Sequence, residues 1–462
     1  MGEKKHGLDL TQGRINTLLI RFAVPFVLAN MVNALHGVVG TIIVGQFADF
    51  QTLAGVGVGT QALNLTFPFV MGLGTAGTVI IGRYIGEKNA EASTKATGSI
   101  FITTIAIITA VTLLVLLIRE PLLDFLNTQP DMRESASRFV IIGLIGVPFN
   151  IGFSMLSAVF RGIGNSKVPS VIAAISAGGN IAMAILLAGV IGVAADISVV
   201  VAMVSAQFIS FVLIAVWLYI KKLPYPFSLK KNMRADKDSM RYIGKVGGPL
   251  VLTDFLMMVS FMIVTRQING MGTLASAAVS LVNRAFPLMF TMPMGISVAV
   301  SAMTAQNLGA GSRLRAVASL RWGTIYALGL SVIFFVMCLT IPELLLSVFT
   351  DDYSVISGAA NYIRPFSIDL LFMAFVFTMN AYFVGSGRSR IQMVHTLIAS
   401  LVVRVPLSMF VAGLEGLELN TQLGYLGFTV SISGVVSLVI CIWYFVRMNK
   451  KDKAEEAARL SA

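Results

Sequence analysis

Long apolar runs separated by short polar segments dominate the chain from residue 18 to residue 446. Twelve of these runs reach the length of about 20 residues that an α-helix needs to cross the hydrocarbon core of a bilayer. They cover residues 18–45, 53–81, 97–118, 138–160, 168–190, 193–220, 246–267, 274–305, 320–342, 355–383, 391–413 and 424–446. The pattern predicts an all-α membrane protein with twelve transmembrane helices, numbered here as spans one to twelve.

The composition supports this prediction. Only 12% of the residues are charged and 56% are hydrophobic, whereas soluble domains carry about 25% charged residues. The net charge of +12 would suggest a nucleic-acid partner in a soluble protein. Its distribution along the chain indicates a membrane topology instead.

Basic residues concentrate in the two termini and the even-numbered loops, most densely in residues 221–245. The odd-numbered loops hold many of the acidic residues and only Arg119, Arg133, Arg138 and Arg266 among the basic ones. Cytoplasmic loops are enriched in Lys and Arg. We therefore expect a multi-pass protein of the inner (plasma) membrane with both termini in the cytoplasm, and no nucleic-acid partner.

The two halves of the chain repeat each other. Residues 158–167 (AVFRGIGNSK) and 381–390 (AYFVGSGRSR) share Ala, Phe, Gly, Gly and Ser at matching positions, 223 residues apart. Each half has six spans, so the copies insert in the same orientation as a parallel repeat. We expect an N-terminal bundle (1–220), a cytoplasmic linker (221–245) and a C-terminal bundle with its tail (246–462).

Several segments resemble the MATE (multidrug and toxic compound extrusion) family. They are TIIVGQFADFQTLAGVGVG (41–59), GRYIGEKN (82–89), FRGIGNSK (160–167), Asn180, LGAGSR (308–313) and VGSGRSR (384–390). The resemblance covers nearly the whole chain. It implies export of bulky, often cationic small organic compounds, driven by inward flow of H⁺ or Na⁺ and requiring no other cofactor.

The absence of a Walker A motif means that ATP does not power transport within this chain. No metal-ligand cluster or nucleophile elbow occurs either, so we expect a non-enzymatic transporter, acting as a monomer in the lipid bilayer. A channel and a lipid-linked precursor flippase of related architecture remain alternatives. A flippase would need a basic cavity for phosphate groups.

Acidic residues at membrane depth are functional candidates because a charge there is costly. Span seven carries Asp254 and span ten carries Asp369, and both are predicted to titrate in the cavity of the second half. The alternative is a structural ion pair with a basic residue of the second half, and the candidates are Arg284, Arg364 and Arg404. Arg284 is also a candidate cavity residue.

The first half departs from the family pattern. The acidic position of span one is Gly40, and the Asn-x-x-x-Asp pattern of span five survives as Asn180 with Ala184. These departures put a cation site in the first half in doubt and favour H⁺ over Na⁺ as the coupling ion. In span seven, Met257 occupies the usual Glu position.

Polar and soft side chains complete the candidate cavity. His36 is a candidate proton site, and polar lining is predicted from Asn30, Asn33, Gln61, Asn64 and Asn150. Met257, Met258 and Met289 are candidates for an adaptable apolar lining. The alternatives are hydrogen bonding between helices for the polar groups and ordinary packing for the methionines. Cys338 and Cys441 lie within apolar runs and are predicted to be buried without a redox role.

Overall fold

The computed structural model describes residues 7–47, 50–125, 128–221, 223–414 and 416–461. Side chains are described for most of them, with residues 33–47 as the longest exception. In the first half the helices are α1 Ile15–Phe47, α2 Phe50–Asn64, α3 Phe67–Gly86, α4 Ala90–Phe125, α5 Pro130–Gly162, α6 Lys167–Ile185 and α7 Ala195–Lys221.

The second half continues the helical series. Its helices are α8 Leu229–Asn232, α9 Lys237–Gly270, α10 Thr273–Gly309, α11 Arg313–Thr340, α12 Pro342–Ser347, α13 Tyr353–Phe366, α14 Ile368–Gly385, α15 Arg390–Leu397, α16 Val405–Ala412 and α17 Leu419–Ser461. Two π-helical segments, Leu186–Ile191 and Ile398–Arg404, interrupt spans five and eleven. Twelve stretches of the described chain are long and apolar enough to cross a membrane, which confirms the predicted number of spans.

Two spans are broken helices. Span two divides between α2 and α3, where Pro68 stands in the first turn of α3 and Thr66 donates its amide to the Leu63 carbonyl, at 3.0 Å. Span ten divides at Ser367, and the amide of Leu370 reaches back three residues to the Ser367 carbonyl, at 3.1 Å. Such 3₁₀-type turns satisfy backbone groups where the α-helical ladder stops.

The chain forms two compact units. The first unit comprises Met1–Val251 with Ala305–Arg313, and the second comprises Leu252–Thr304 with Leu314–Ala462. In the first unit α5 packs against α2, α3, α4 and α7, while α1 packs against α6. The helix of span four is therefore the centre of this bundle.

In the second unit α17 contacts several other helices. It packs against α13, α14 and the π-helical segment of span eleven. The first unit pairs span four with span six through α5 and α7, and the second unit pairs span ten with span twelve in the same way. Equivalent packing of equivalent spans is what a duplicated bundle requires.

The repeated sequence motif adopts the same turn twice. Gly164 and Gly387 have φ angles of +90° and +75°, a region that side chains other than glycine rarely enter. In both turns the following residue donates its amide to the carbonyl five residues earlier, Asn165 to Phe160 and Arg388 to Phe383, each at 2.8 Å. The matching hydrogen bonds confirm the internal repeat at the level of the backbone.

A close helix crossing inside the first unit has the same symmetry. A Cβ atom on Gly86 would contact the carbonyl oxygen of Gln306, and a Cβ on Gly309 would contact the carbonyl oxygen of Arg83. The 223-residue repeat relates the two contacts, because it pairs Gly86 with Gly309 and Arg83 with Gln306. Only glycine lets the ends of α3 and α10 approach backbone to backbone at this point.

Candidate functional site

The turn in span ten lies beside Asp369, the most buried acidic side chain that the structure describes in the second unit. Asp369 lies in the first turn of α14, immediately after the turn at Ser367. At this turn the backbone stays helical, and the amide of Ser367 donates to the Ile363 carbonyl at 2.8 Å. Pro365 has no amide N–H with which to continue the α-helical ladder, so the span is locally weakened just before Asp369.

Asp369 is 3% exposed, and its Oδ1 atom accepts no hydrogen bond in the described part of the chain. This oxygen packs directly against Gly434 of α17, where a Cβ atom would collide with it. Buried polar atoms are nearly always hydrogen-bonded, so an unpartnered carboxylate oxygen requires an explanation. Its open position can be filled by a proton or a cation.

Small residues of α17 create the space for the broken helix. Gly427 lies against the carbonyl of Tyr362, Ser431 donates to the carbonyl of Pro365 at 2.7 Å, and Gly434 lies against Asp369. Residues 427, 431 and 434 share one helical face because they are four and three positions apart. This face of α17 supports the break and the carboxylate beside it.

Arg404 supplies the positive charge that acts on Asp369. It is 8% exposed, ends the π-helical segment of span eleven, and attracts Asp369 and the side chain of Tyr362 electrostatically. Its guanidinium also lies 4.4 Å from the ring centroid of Phe261. Among the described residues Arg404 and Asp369 form no direct ion pair, so the two charges influence each other without being locked together.

Asp254 has a different environment. It lies within α9 in the second unit and is half-buried. In the described part of the chain it forms no ion pair and no hydrogen bond. Among the residues that the structure describes, neither Asp254 nor Asp369 forms the ion pair that the alternative interpretation required.

The other basic candidates of the second half do not pair with these acids. Arg364 donates to Glu343 at 2.7 Å, and both side chains are more than 40% exposed. Arg284, a candidate cavity residue, is exposed. Arg404 is therefore the basic residue that acts on Asp369.

Sequence reasoning missed a second buried polar cluster in this unit. His395 is 1% exposed, with Nε2 2.7 Å from Oδ1 of Asn380 and Nδ1 3.4 Å from the Ser437 hydroxyl. The amide oxygen of Asn380 is only an acceptor, so Nε2 donates this hydrogen bond. Polar residues within spans ten and eleven were visible in the sequence, but their partnership required the fold.

In the first unit the candidate cation position is apolar. Ala184 is 2% exposed and packs with Ala202, Ile181 and Met183. Asn180, one helical turn earlier, is 7% exposed. Hence α6 presents one buried amide and no carboxylate at the position that the family resemblance associates with a cation.

The repeat makes this asymmetry explicit. The shift of 223 residues that relates the two turn motifs places Gly146 at the position of Asp369. The second unit therefore carries a buried carboxyl where the first carries a glycine.

The predicted polar lining of the first half is distributed over several environments. Asn30 and Asn150 are half-buried, while Gln61 and Asn64 on α2 are exposed. The predictions for His36 and Asn33 fall outside the residues whose side chains the structure describes. A role for these residues in transport stays a prediction.

The methionines and cysteines occupy different positions. Met289 is 3% exposed in the core of the second unit, where its sulfur lies 3.8 Å from that of Cys338. Met257 and Met258 are half-buried on α9. Cys338 and Cys441 are both buried and free, as predicted.

Comparisons with known proteins agree with the repeat. The family model MatE matches twice, over residues 25–186 and 249–410. The probable multidrug resistance protein NorM of Thermotoga maritima is 26% identical over 401 residues, which are 84% of this chain and 84% of that protein. The multidrug export protein MepA of Staphylococcus saprophyticus is 23% identical over 86% of this chain and 88% of its own length.

The fold has a close structural match. A crystal structure of MATE in complex with MaD5 superposes with a TM-score of 0.89 over 98% of this chain and all of that chain, at 18% identity. At this identity the match establishes the architecture alone. It agrees with twelve membrane spans arranged as two repeated bundles.

Proposed function

The chain belongs to the MatE family of transporters, and from this premise we propose that it is a secondary active exporter of small organic compounds, many of them cationic. Relatives that align over most of the chain are named as multidrug resistance or export proteins. The proposed exporter acts as a monomer in the plasma membrane with both termini in the cytoplasm. Its coupling ion is H⁺ rather than Na⁺.

The observation that carries the coupling proposal is the buried carboxyl of Asp369. It is held beside Arg404 at a helix break, and its Oδ1 accepts no hydrogen bond from the described residues. A carboxylate charge in the hydrocarbon region is costly. Protonation of Asp369 removes that charge and therefore changes the free energy of the surrounding structure. Asp254, also free of an ion pair among the described residues, is the second proposed coupling carboxyl.

The preference for H⁺ follows from the number of oxygen ligands that the candidate residues provide. Hard metal cations are held by several oxygen atoms, whereas a proton needs a single acceptor. The first unit has Gly40 and Ala184 where the family resemblance expects carboxylates, and Ala184 packs among apolar side chains. Binding of a proton to one buried carboxyl of the second unit therefore needs fewer ligands than binding of Na⁺.

The broken span offers a mechanical response to protonation. Neutralising Asp369 removes its attraction to Arg404. Exchange requires that proton and substrate stabilise different conformations, since a ligand shifts an equilibrium only through differential affinity. In our proposal the turn at Ser367 lets α13 and α14 reorient separately as the proton is bound and released.

The test is efflux of a cationic dye from proteoliposomes under separately imposed pH and Na⁺ gradients. We expect export driven by the pH gradient in the parent protein, reduced export in Asp254→Asn and Asp369→Asn, and its loss in the double variant. Asp352→Asn is the matched control, because it neutralises an exposed acid that caps α13 and asparagine caps helices equally well. Undiminished pH-driven export by the double variant would contradict the coupling proposal.

The same preparation separates the alternatives. A flippase would bind a lipid pyrophosphate in preference to the dye, and a channel would conduct ions without coupling to dye movement. The three candidate arginines of the second half do not converge: Arg404 lies near Tyr362, Arg364 pairs with Glu343 and Arg284 is exposed. This distribution does not favour a phosphate cavity.

A further inference from the structure

The segment between the two halves is folded onto α4. Thr94 donates to the carbonyl of Pro226 at 2.8 Å, and the Thr97 and Tyr225 hydroxyls are 2.7 Å apart. Further along, the amide of Asp236 donates to the hydroxyl of Ser99 at 2.9 Å. We call residues 223–236 the docked linker, because these contacts hold both of its ends on one helix.

Small and aromatic residues complete the docking. A Cβ atom on Gly98 would collide with the carbonyl oxygen of Asn232, so glycine is needed for this close approach. Phe227 stacks on Phe101 with ring centroids 5.8 Å apart. The docked linker is therefore an ordered surface with a defined position along α4.

The docked linker contacts α4 at the boundary of the hydrocarbon region. The apolar run of span three covers residues 97–118, about 33 Å of helix at 1.5 Å per residue, which matches a hydrocarbon core of about 30 Å. The docking contacts extend from residue 94 to residue 101, across the start of that run. The docked linker thus lies at the depth of the lipid headgroups.

The surface presented at this depth is basic. The exposed basic side chains in and beside the docked linker are Lys221, Lys231, Arg234, Lys237 and Arg241. Among the described residues none of Lys231, Arg234 and Lys237 forms an ion pair. Asp236 faces Ser239, which donates from its amide at 2.9 Å and its hydroxyl at 2.7 Å, and these hydrogen bonds lower the pKa of the Asp236 carboxyl. Asp238 is exposed.

Apolar and aromatic side chains accompany the positive charges. Met233 and Met240 are each 39% exposed, and Tyr219 near the end of α7 is 86% exposed. Lys221 lies 5.9 Å from the ring centroid of Trp217. Aromatic residues are enriched at the membrane–water interface, so they place the same segment at the headgroup level.

We propose that the docked linker and its flanking basic side chains form a binding surface for anionic phospholipid headgroups. The positive-inside rule requires only that basic residues lie on the cytoplasmic side. Docking on α4 adds a fixed surface at headgroup depth, where unpaired lysines and arginines meet lipid phosphates. Basic residues cytoplasmic to a membrane span attract anionic lipids. The proposal depends on the predicted orientation and is independent of the transport mechanism.

The experiment measures the lipid beside the docked linker directly. The reporter is Met233→Trp in a protein whose three tryptophans have been replaced by Phe (Trp217→Phe, Trp322→Phe, Trp443→Phe). Its fluorescence is quenched in vesicles that contain brominated phosphatidylglycerol or, at the same mole fraction, brominated phosphatidylcholine. We expect stronger quenching by phosphatidylglycerol. Each basic residue near an anionic surface contributes roughly five-fold to binding, so the triple variant Lys231→Gln, Arg234→Gln and Lys237→Gln is expected to lose the preference.

Two controls distinguish charge from damage to the fold. The variant Lys231→Arg with Lys237→Arg keeps the charges and is expected to keep the preference. A second reporter, Leu344→Trp, lies on α12 in an odd-numbered loop, is 64% exposed in the parent, and is expected not to respond to the linker substitutions. At about 1 M NaCl the screening length falls to about 3 Å, which should weaken the preference at residue 233. Equal quenching by the two lipids, or a preference that persists in the triple Gln variant, would overturn the proposal.

Discussion

The contact between Gly434 and Asp369 provides a test that leaves every titratable group in place. In Gly434→Ala the new Cβ would collide with Oδ1 of Asp369, with Cγ at 3.2 Å and the Cβ of Phe372 at 3.5 Å. The carboxylate therefore has to turn away from α17. Overpacking of this kind costs about 1–3 kcal/mol, and a factor of ten corresponds to about 1.4 kcal/mol. We expect a change of about 5-fold to 150-fold in the conformational equilibrium that contains this contact.

Two measurements report this change. Dye efflux from proteoliposomes under an imposed pH gradient should be slowed in Gly434→Ala although both Asp254 and Asp369 are present. The thermal unfolding temperature of the purified protein should fall. Adding Asp369→Ala removes the colliding atoms, so the loss of stability in the double variant should be smaller than the sum of the two single losses.

A matched glycine controls for the general effect of adding a methyl group. A Cβ on Gly329 of α11, in the same unit, would meet nothing within 4 Å. Gly329→Ala is therefore expected to leave efflux and thermal stability close to those of the parent. The reasoning is refuted if Gly434→Ala behaves like Gly329→Ala, or if Asp369→Ala fails to relieve the effect of alanine at 434.

Three further predictions concern the framework around the site. Gly309→Ala would press a Cβ against the backbone carbonyl of Arg83, which cannot turn aside, so thermal unfolding should show a loss of about 1–3 kcal/mol. Arg388 makes two hydrogen bonds to Asp452, at 2.9 and 2.7 Å, which raise the pKa of its guanidinium. Arg388→Lys should lose the paired geometry and increase proteolysis of the tail of α17, and an unchanged cleavage rate would contradict this. Asp352 caps α13, and the donated hydrogen bonds lower the pKa of its carboxyl. The cap is therefore complete above the ordinary pKa of aspartate and is lost as pH falls through the lowered value. Amide hydrogen exchange in the first turn of α13 should rise at low pH in the parent protein. Asp352→Asn should show no such pH dependence.

The number of spans was predictable because a bilayer leaves little choice. Every backbone polar group must be satisfied within the membrane, so long apolar runs become helices wherever they occur. The repeated glycine motif was equally informative, since Gly164 and Gly387 both adopt the left-handed backbone that their turn requires. Local chemistry alone decides these features.

The broken helix in span ten was not apparent from hydropathy. The run from 355 to 383 is long enough for one continuous helix, and Pro365 marks only a weakened position. The separation of α13 from α14 also depends on two residues of α17: Ser431 donates to the Pro365 carbonyl, and Gly427 packs against Tyr362 and Pro365. No local pattern specifies those partners.

The candidate functional residues also divide into those that the sequence predicts and those that only the fold reveals. The cost of charge in hydrocarbon was sufficient to select Asp254 and Asp369 from the sequence. It did not reveal that Arg404 acts on Asp369 while Arg364 pairs with Glu343. The cluster around His395 was missed because a single histidine in an apolar run carries no information about its partners.

By itself the sequence determined the twelve spans, their duplication and the acids worth testing, because hydropathy, turn chemistry and the cost of buried charge act over a few neighbouring residues. The tertiary structure decided which charges meet, where span ten breaks and how the linker docks on α4. Those outcomes depend on small residues of distant helices, Gly434 beside Asp369 and Gly98 beside Asn232, and such contacts exist only once the chain has folded.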